Sequence, residues 1–195
     1  MRITGGVYRG RSIAPPPGLG VRPTADRARQ AVFNRLEHTA WSPGLSGARV
    51  IDLFAGSGAL GLEALSRGAA ACVFVETGEE ARAAIRNNLD ALDPEGGLAG
   101  RCRILRRDAA ALGDRSTAGL AAFDVAFLDP PYAKGVGRTA LASLGAGGWL
   151  TPGAICVLEQ GSGEPGPTAP GFSAIDSRRY GAATIHVLAW SPKPV

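Results

Sequence analysis

Asp52-Leu53-Phe54-Ala55-Gly56-Ser57-Gly58-Ala59-Leu60-Gly61 is the stretch that decides the fold. The run 49–54 is apolar enough to read as a buried strand, the glycines allow a sharp turn, and Ala59, Leu60, Gly61 and Leu62 open a helix at once. Strand, Gly-rich turn and helix in this order make the nucleotide-binding corner of a doubly wound sheet, where ligands lie beyond the carboxyl ends of the strands. The spacing Gly56-x-Gly58-x-x-Gly61 fits a nicotinamide dinucleotide as well as S-adenosyl-L-methionine, so the turn alone does not choose between them.

Outward from this corner the chain alternates short apolar runs with helical segments. Strands are predicted at 49–54, 71–76, 103–107 and 123–128, and helices at 58–67, at 79–92, in a short piece after Asp108, and at 136–144. Such alternation implies a parallel sheet with right-handed crossovers. Beyond Trp149 the pattern changes to a fifth strand at 154–159, a Gly/Pro-rich loop at 161–171, and a pair at 175–180 and 184–190 that Gly181 turns antiparallel. Upstream, residues 1–13 read as a short hairpin or arm around Gly5, Gly6 and Gly10, and Pro15-Pro16-Pro17-Gly18 as a stiff connector. A helix is then expected from Thr24, as N-cap, to about His38. The expected division is a basic N-terminal extension over 1–40 and a main α/β domain over 41–195.

Acids close the successive strands. Asp52 ends the first, Glu76 the second, Asp108 the third, and Asp129-Pro130-Pro131-Tyr132 follows the fourth. An acid about twenty residues past the glycines can bond both hydroxyls of a ribose, and Asp108 is placed to meet an adenine amine. A hydride-transfer enzyme has no need of the fourth motif, whereas chemistry at a base amine does. An amine conjugated to a purine is a poor nucleophile. The Asp129 carboxylate and Pro130 carbonyl can accept its hydrogen bonds, the prolines stiffen the backbone by fixing φ, and Tyr132 can stack on an extruded base.

The 195 residues suit one domain with a substantial core. No apolar run approaches the roughly 20 residues that span a bilayer, and the N-terminus lacks the apolar core of a secretory signal, so a cytoplasmic location is expected. Cys72, Cys102 and Cys156 are odd in number and widely spaced, and His38 and His186 have no ligand-like spacing, which points to neither disulfides nor a metal. The net charge of +4 is uneven. Arg2, Arg9, Arg11, Arg22, Arg27, Arg29 and Arg35 face a single acid, Asp26, in the first 35 residues, the clustering expected where a chain meets nucleic-acid phosphates.

The chain resembles the bacterial ribosomal small-subunit methyltransferase D family. The likeness runs through Arg2-Ile3-Thr4-Gly5-Gly6, Arg9-Gly10-Arg11, Arg22-Pro23-Thr24 with Asp26-Arg27 and Arg29, and Phe33-Asn34. It continues through 52–61, Leu62-Glu63-Ala64-Leu65-Ser66-Arg67-Gly68-Ala69, 129–132, Gly148-Trp149-Leu150 and Tyr180-Gly181. The resemblance implies a Rossmann-like methyltransferase with a mostly parallel seven-stranded sheet, an antiparallel last strand and a basic N-terminal extension. It also implies methylation of the exocyclic N2 of a guanine in 16S rRNA, either free or in a small-subunit assembly intermediate. By the same resemblance S-adenosyl-L-methionine lies against Asp52, Gly56, Ser57, Gly58, Glu76 and Asp108. The guanine amine lies at Asp129 and Pro130 with Tyr132 against the base. Arg9, Arg11, Arg22, Arg27 and Arg29 are the expected RNA contacts, and a monomer is expected. Thr77-Gly78 after Glu76, and a longer segment at 90–100, depart from the family pattern. Rival readings are an N6-adenine methyltransferase acting on DNA, a non-catalytic nucleic-acid-binding module and a nicotinamide-dependent oxidoreductase.

Overall fold

In a computed structural model of the chain, described over residues 1–16, 23–131 and 135–192 with the side chains of 23–27 left aside, seven strands form one sheet. Arg22 and Tyr132, and the side chain of Arg27, lie outside the described residues. The elements in chain order are α1 (Pro23–His38), β1 (Arg49–Leu53), α2 (Ala59–Ser66), β2 (Ala71–Val75), α3 (Glu79–Leu92), β3 (Cys102–Leu105), β4 (Phe123–Leu128), α4 (Val136–Ala146), β5 (Leu150–Gly161), β6 (Phe172–Tyr180) and β7 (Ala183–Trp190). The strands lie in the order β3-β2-β1-β4-β5-β7-β6. Neighbours from β3 to β5 pair parallel, and β7 runs antiparallel to both β5 and β6. This is the α/β architecture and antiparallel final strand expected from the sequence.

The central strands are buried on both faces, which is why they read as continuous apolar runs instead of alternating ones. Val50, Phe74 and Phe127 pack with Phe33, Leu36, Leu62 and Ile85 on one face. Ile51, Val75 and Leu128 pack with Leu141, Leu144 and Trp149 on the other. The order of strands reverses between β1 and β4. Their in-register carboxyl ends, Leu53 beside Leu128, open the crevice where a doubly wound sheet binds its ligand.

Gly61 sets how closely α2 lies on the sheet. A Cβ there would stand 2.4 Å from the Phe74 ring and 2.6 Å from Cys72 Sγ, and both are core side chains of β2 without room to retreat. Gly61→Ala is therefore expected to destabilise the fold by about 1–3 kcal/mol, the range for overpacking a core. Denaturant unfolding checks this, and a loss below about 0.5 kcal/mol would show that the helix can lift off the sheet at little cost.

Residues 1–13 take the hairpin form, with an antiparallel bridge between Arg2 and Ser12. Ile3 and Ile13 join the same core as α1 and the sheet, so the stretches on either side of residue 40 share one core. The hairpin is tied to α2 by hydrogen bonds from Val7 N to Ser66 O (2.8 Å), Tyr8 N to Ser66 Oγ (2.9 Å) and Thr4 N to Glu63 Oε2 (2.8 Å). Helix α1 begins at Pro23, so Thr24 stands in its first turn rather than at the cap; proline suits that turn because its missing N–H has no intrahelical partner to lose. Strand β5 is longer than predicted. It starts at Leu150 and passes through Pro152 and Gly153, both exposed, where the β4–β5 register shifts between Phe123 and Val125; an irregularity of this kind is where a sheet tolerates proline.

Candidate active site

The turn after β1 is strained at one residue. Phe54 has φ 58°, the one non-glycine with positive φ among the described residues, a conformation that costs on the order of 1–3 kcal/mol and gathers at functional sites. It reverses the chain so that Ala55–Gly58 curls above the ends of β1 and β2. Gly58 N donates to Ala55 O (2.6 Å) and Ala55 N to Val75 O (3.2 Å).

Glu76, one residue beyond β2, organises the other side. Its Oε2 accepts from Gly56 N (2.9 Å) and its Oε1 from Gly78 N (2.8 Å). Each oxygen keeps a lone pair for a further donor. Asp52 lies beneath, 1% exposed, with Oδ2 accepting from Gly61 N in the first turn of α2 (2.9 Å). Asp108 is exposed, and its Oδ1 accepts from Ala110 N (2.8 Å), capping the short turn Ala109–Ala111. Asp129 is exposed at the end of β4, followed by the buried Pro130. Ser57 is buried, and its carbonyl accepts from Asn88 Nδ2 (2.9 Å). Three of the predicted acids thus stand at the carboxyl ends of adjacent strands, since Glu76 follows Val75 and Asp129 follows Leu128, both paired with Leu53 next to Asp52. Asp108 follows β3, the edge strand next to β2.

Burial pushes the Asp52 carboxyl well above the usual carboxylate range; the Gly61 N–H opposes this, and Asp129 and Glu76 add to it. A raised carboxyl favours the folded state while protonated, so its contribution is full below its unfolded value, about 3.9, and is lost as pH rises through the folded value. Asp52→Asn cannot ionise and keeps an acceptor for Gly61. The Tm of this variant relative to the unsubstituted protein should therefore rise from pH 4 to pH 8. Thermal melting across that range checks it, and a difference independent of pH would mean the carboxyl is not raised.

The arginines separate into two groups. Arg9 and Arg11 are exposed, with the Arg11 guanidinium 5.4 Å from the Tyr8 ring centroid and bonded to Leu92 O. Arg29, expected at the RNA surface, is corrected by its burial. Its side chain is 5% exposed, and it pairs with Glu63 at 3.5 Å, where a phosphate does not reach it.

Asn88 was missed by the motif reading. It is 2% exposed on the stripe of α3 that also holds Ala84, Ile85 and Leu92, and a polar residue within an apolar helical stripe is the signal that could have found it. Among the described residues no group of three His, Cys, Asp or Glu side chains could hold a metal ion, and no helix is long and apolar enough to cross a membrane.

A sheet reversing between β1 and β4, with a strained Gly-rich turn and acids at the strand ends, is a Rossmann-like α/β fold, and its structural neighbours make it one of the Rossmann-like methyltransferases. The structure of "Putative methyltransferase yhhF from Escherichia coli" superposes with a TM-score of 0.81 at 31% identity, covering 99% of each chain. Residues 1–189 match the family model described as Conserved hypothetical protein 95. Ribosomal RNA small subunit methyltransferase D of Escherichia coli (strain K12) is 36% identical over 171 residues, 87% of this chain and 79% of that protein. Its namesake in Haemophilus influenzae is 30% identical over 193 residues, 96% and 92% of the two chains. The chain belongs to the ribosomal RNA small subunit methyltransferase D family.

Proposed function

We propose that this protein methylates the exocyclic N2 amine of a guanine in 16S rRNA of the small ribosomal subunit, using S-adenosyl-L-methionine, as a cytoplasmic monomer. The observation that carries the reading is Asp129-Pro130-Pro131 at the end of β4, across the strand-order reversal from the Gly-rich turn, in a chain similar to proteins named for this activity.

The residues of the crevice fit that cofactor. A Cβ on Gly56 would meet only Phe54 O, at 3.9 Å, so the turn leaves room for close approach, and the acids Glu76 and Asp108 suit ribose hydroxyls and an adenine amine, with Asp52 buried beneath the turn. Asp52, Gly56, Ser57, Gly58, Glu76 and Asp108 would hold it. Once bound there, it supplies an electrophilic sulfonium methyl. Asp129 and Pro130 act on the base: the carboxylate and the carbonyl accept from the two N–H groups of the amine, localise its lone pair and stabilise the positive charge that grows on nitrogen, which is discharged by loss of one amine proton during or after transfer. Tyr132 stacks on the extruded guanine, and Arg9, Arg11, Arg22 and Arg27 meet phosphates.

The test is transfer of labelled methyl from S-adenosyl-L-methionine to 16S rRNA, free and assembled, followed by digestion to nucleosides. N2-methylguanosine is the expected product. N6-methyladenine, or label confined to DNA, would replace this reading with that of an adenine methyltransferase. Replacing Arg9 and Arg11 together by Ala should lower the slope of log affinity against log salt by about 1.4–1.8, since each phosphate contact contributes roughly 0.7–0.9. An unchanged slope would remove the hairpin from the RNA interface.

A further inference from the structure

We infer that Asn88 is a positioning residue that couples docking of the N-terminal segment to the shape of the Gly-rich turn, an inference that rests on reading that turn as the adenosylmethionine site. Its buried amide joins two segments that do not otherwise share a helix or strand. Oδ1 accepts from Ala14 N at 2.9 Å, and Nδ2 donates to Ala14 O at 2.9 Å and to Ser57 O at 2.9 Å. Both amide donors are used. The orientation of the amide follows, because a flipped one would turn its oxygen on two carbonyls and its NH2 on the Ala14 N–H.

Ser57 stands between Gly56 and Gly58, both at positive φ, so the peptides on either side of it lack the steric restraint a side chain would give. The turn is held by partners instead. Glu76 takes Gly56 N, Ala55 O takes Gly58 N, and Asn88 takes the Ser57 carbonyl. The last of these restraints depends on the N-terminal segment, since Ala14 satisfies the remaining polar atoms of the same side chain. Ala14 is exposed and leads directly into Pro15-Pro16 on the way to α1. A polar side chain on the stripe of Ala84, Ile85 and Leu92 has only this network to offset its desolvation. Whatever draws the N-terminal segment to RNA therefore bears on the cofactor turn through one amide, and by linkage the turn bears on the segment.

Three substitutions in the full chain test this, with S-adenosyl-L-methionine affinity read by calorimetry, kcat at saturating cofactor, and Tm alongside. Asn88→Ala should weaken cofactor binding about tenfold, in line with the loss of one or two hydrogen bonds, while kcat stays within about threefold because no reacting group moves. Ala14→Pro removes the N–H that Oδ1 accepts, from an exposed position on another segment, with Tm reporting any effect of the fixed proline φ on Ile13 before it, and should weaken binding about threefold or more. Leu92→Ala empties a core position one turn further along α3 and should lower Tm without changing cofactor affinity. The inference is overturned if Leu92→Ala weakens binding as much as Asn88→Ala, or if Ala14→Pro leaves affinity unchanged. Failure of the underlying reading looks different, because the unsubstituted protein would then bind no S-adenosyl-L-methionine at all.

Discussion

Asp129→Ala is expected to lower kcat for methyl transfer to rRNA by about 10²–10³-fold or more, the range for removing one acceptor or donor aimed at charge that develops in a transition state. The amine of guanine carries little free lone pair, and the Asp129 carboxylate is the one charged acceptor in the Asp129-Pro130-Pro131 turn. The affinity for S-adenosyl-L-methionine should remain within about threefold, because the Gly-rich turn is held from the other side by Glu76, through Gly56. Asp129 also raises the Asp52 carboxyl, so its removal should shift the pH at which Asp52 titrates downward, toward the ordinary carboxylate value. Single-turnover methylation with calorimetry on the same preparation separates the two effects. Near-normal turnover would sink the role given to Asp129.

The second large effect concerns stability, at Glu63. This glutamate of α2 is fully buried, and its carboxylate meets three parts of the chain. Oε2 accepts from Thr4 N (2.8 Å), Oε1 from Thr4 Oγ1 (2.7 Å) and from Arg67 Nε (2.8 Å), and Arg29 of α1 pairs with it at 3.5 Å. Both arginine side chains are 5% exposed. Glu63→Ala leaves the Thr4 N–H without this acceptor and deprives two buried guanidinium groups of the carboxylate between them. Breaking a buried pair in this way typically costs about 3–5 kcal/mol, and at roughly 2–4 °C of Tm per kcal/mol for a chain of this size the melting point should drop by about 10 °C. The hairpin and α1 should loosen first, since both are tied to α2 through this carboxylate, and limited proteolysis would then cut near the N-terminus before the sheet. Replacing the group by matched apolar residues, Glu63→Leu with Arg29→Met, should recover part of the loss. A Tm within about 2 °C of the unsubstituted protein for Glu63→Ala would show the cluster to be energetically neutral.

Much of this was legible along the chain. The bounds of β4 and α3 agree with those expected from residue pattern, 123–128 and 79–92, because a doubly buried strand is a continuous apolar run and an amphipathic helix repeats every 3.6 residues. The Gly-rich turn and the acids at the ends of β1, β2 and β4 were readable for the same reason: the backbone needs glycine where it reverses, and the acids close apolar runs. The limit of local reading lies at residues whose partners are distant. Charge clustering placed Arg29 with the surface arginines, yet a glutamate 34 positions along buries it. Pro152 and Gly153 signal a turn locally, but β5 runs through them beside an irregular stretch of β4. Asn88 carries no motif, and its importance rests on Ala14 and Ser57, 74 and 31 residues away. The sequence by itself determined the order of the elements, the class of sheet and the acids at the ends of its strands, since periodicity and turn chemistry are properties of neighbouring residues. Only the tertiary structure decided which side chains are buried as partners and which remain at the surface, because burial and hydrogen bonding between segments depend on chain folding that brings distant residues together.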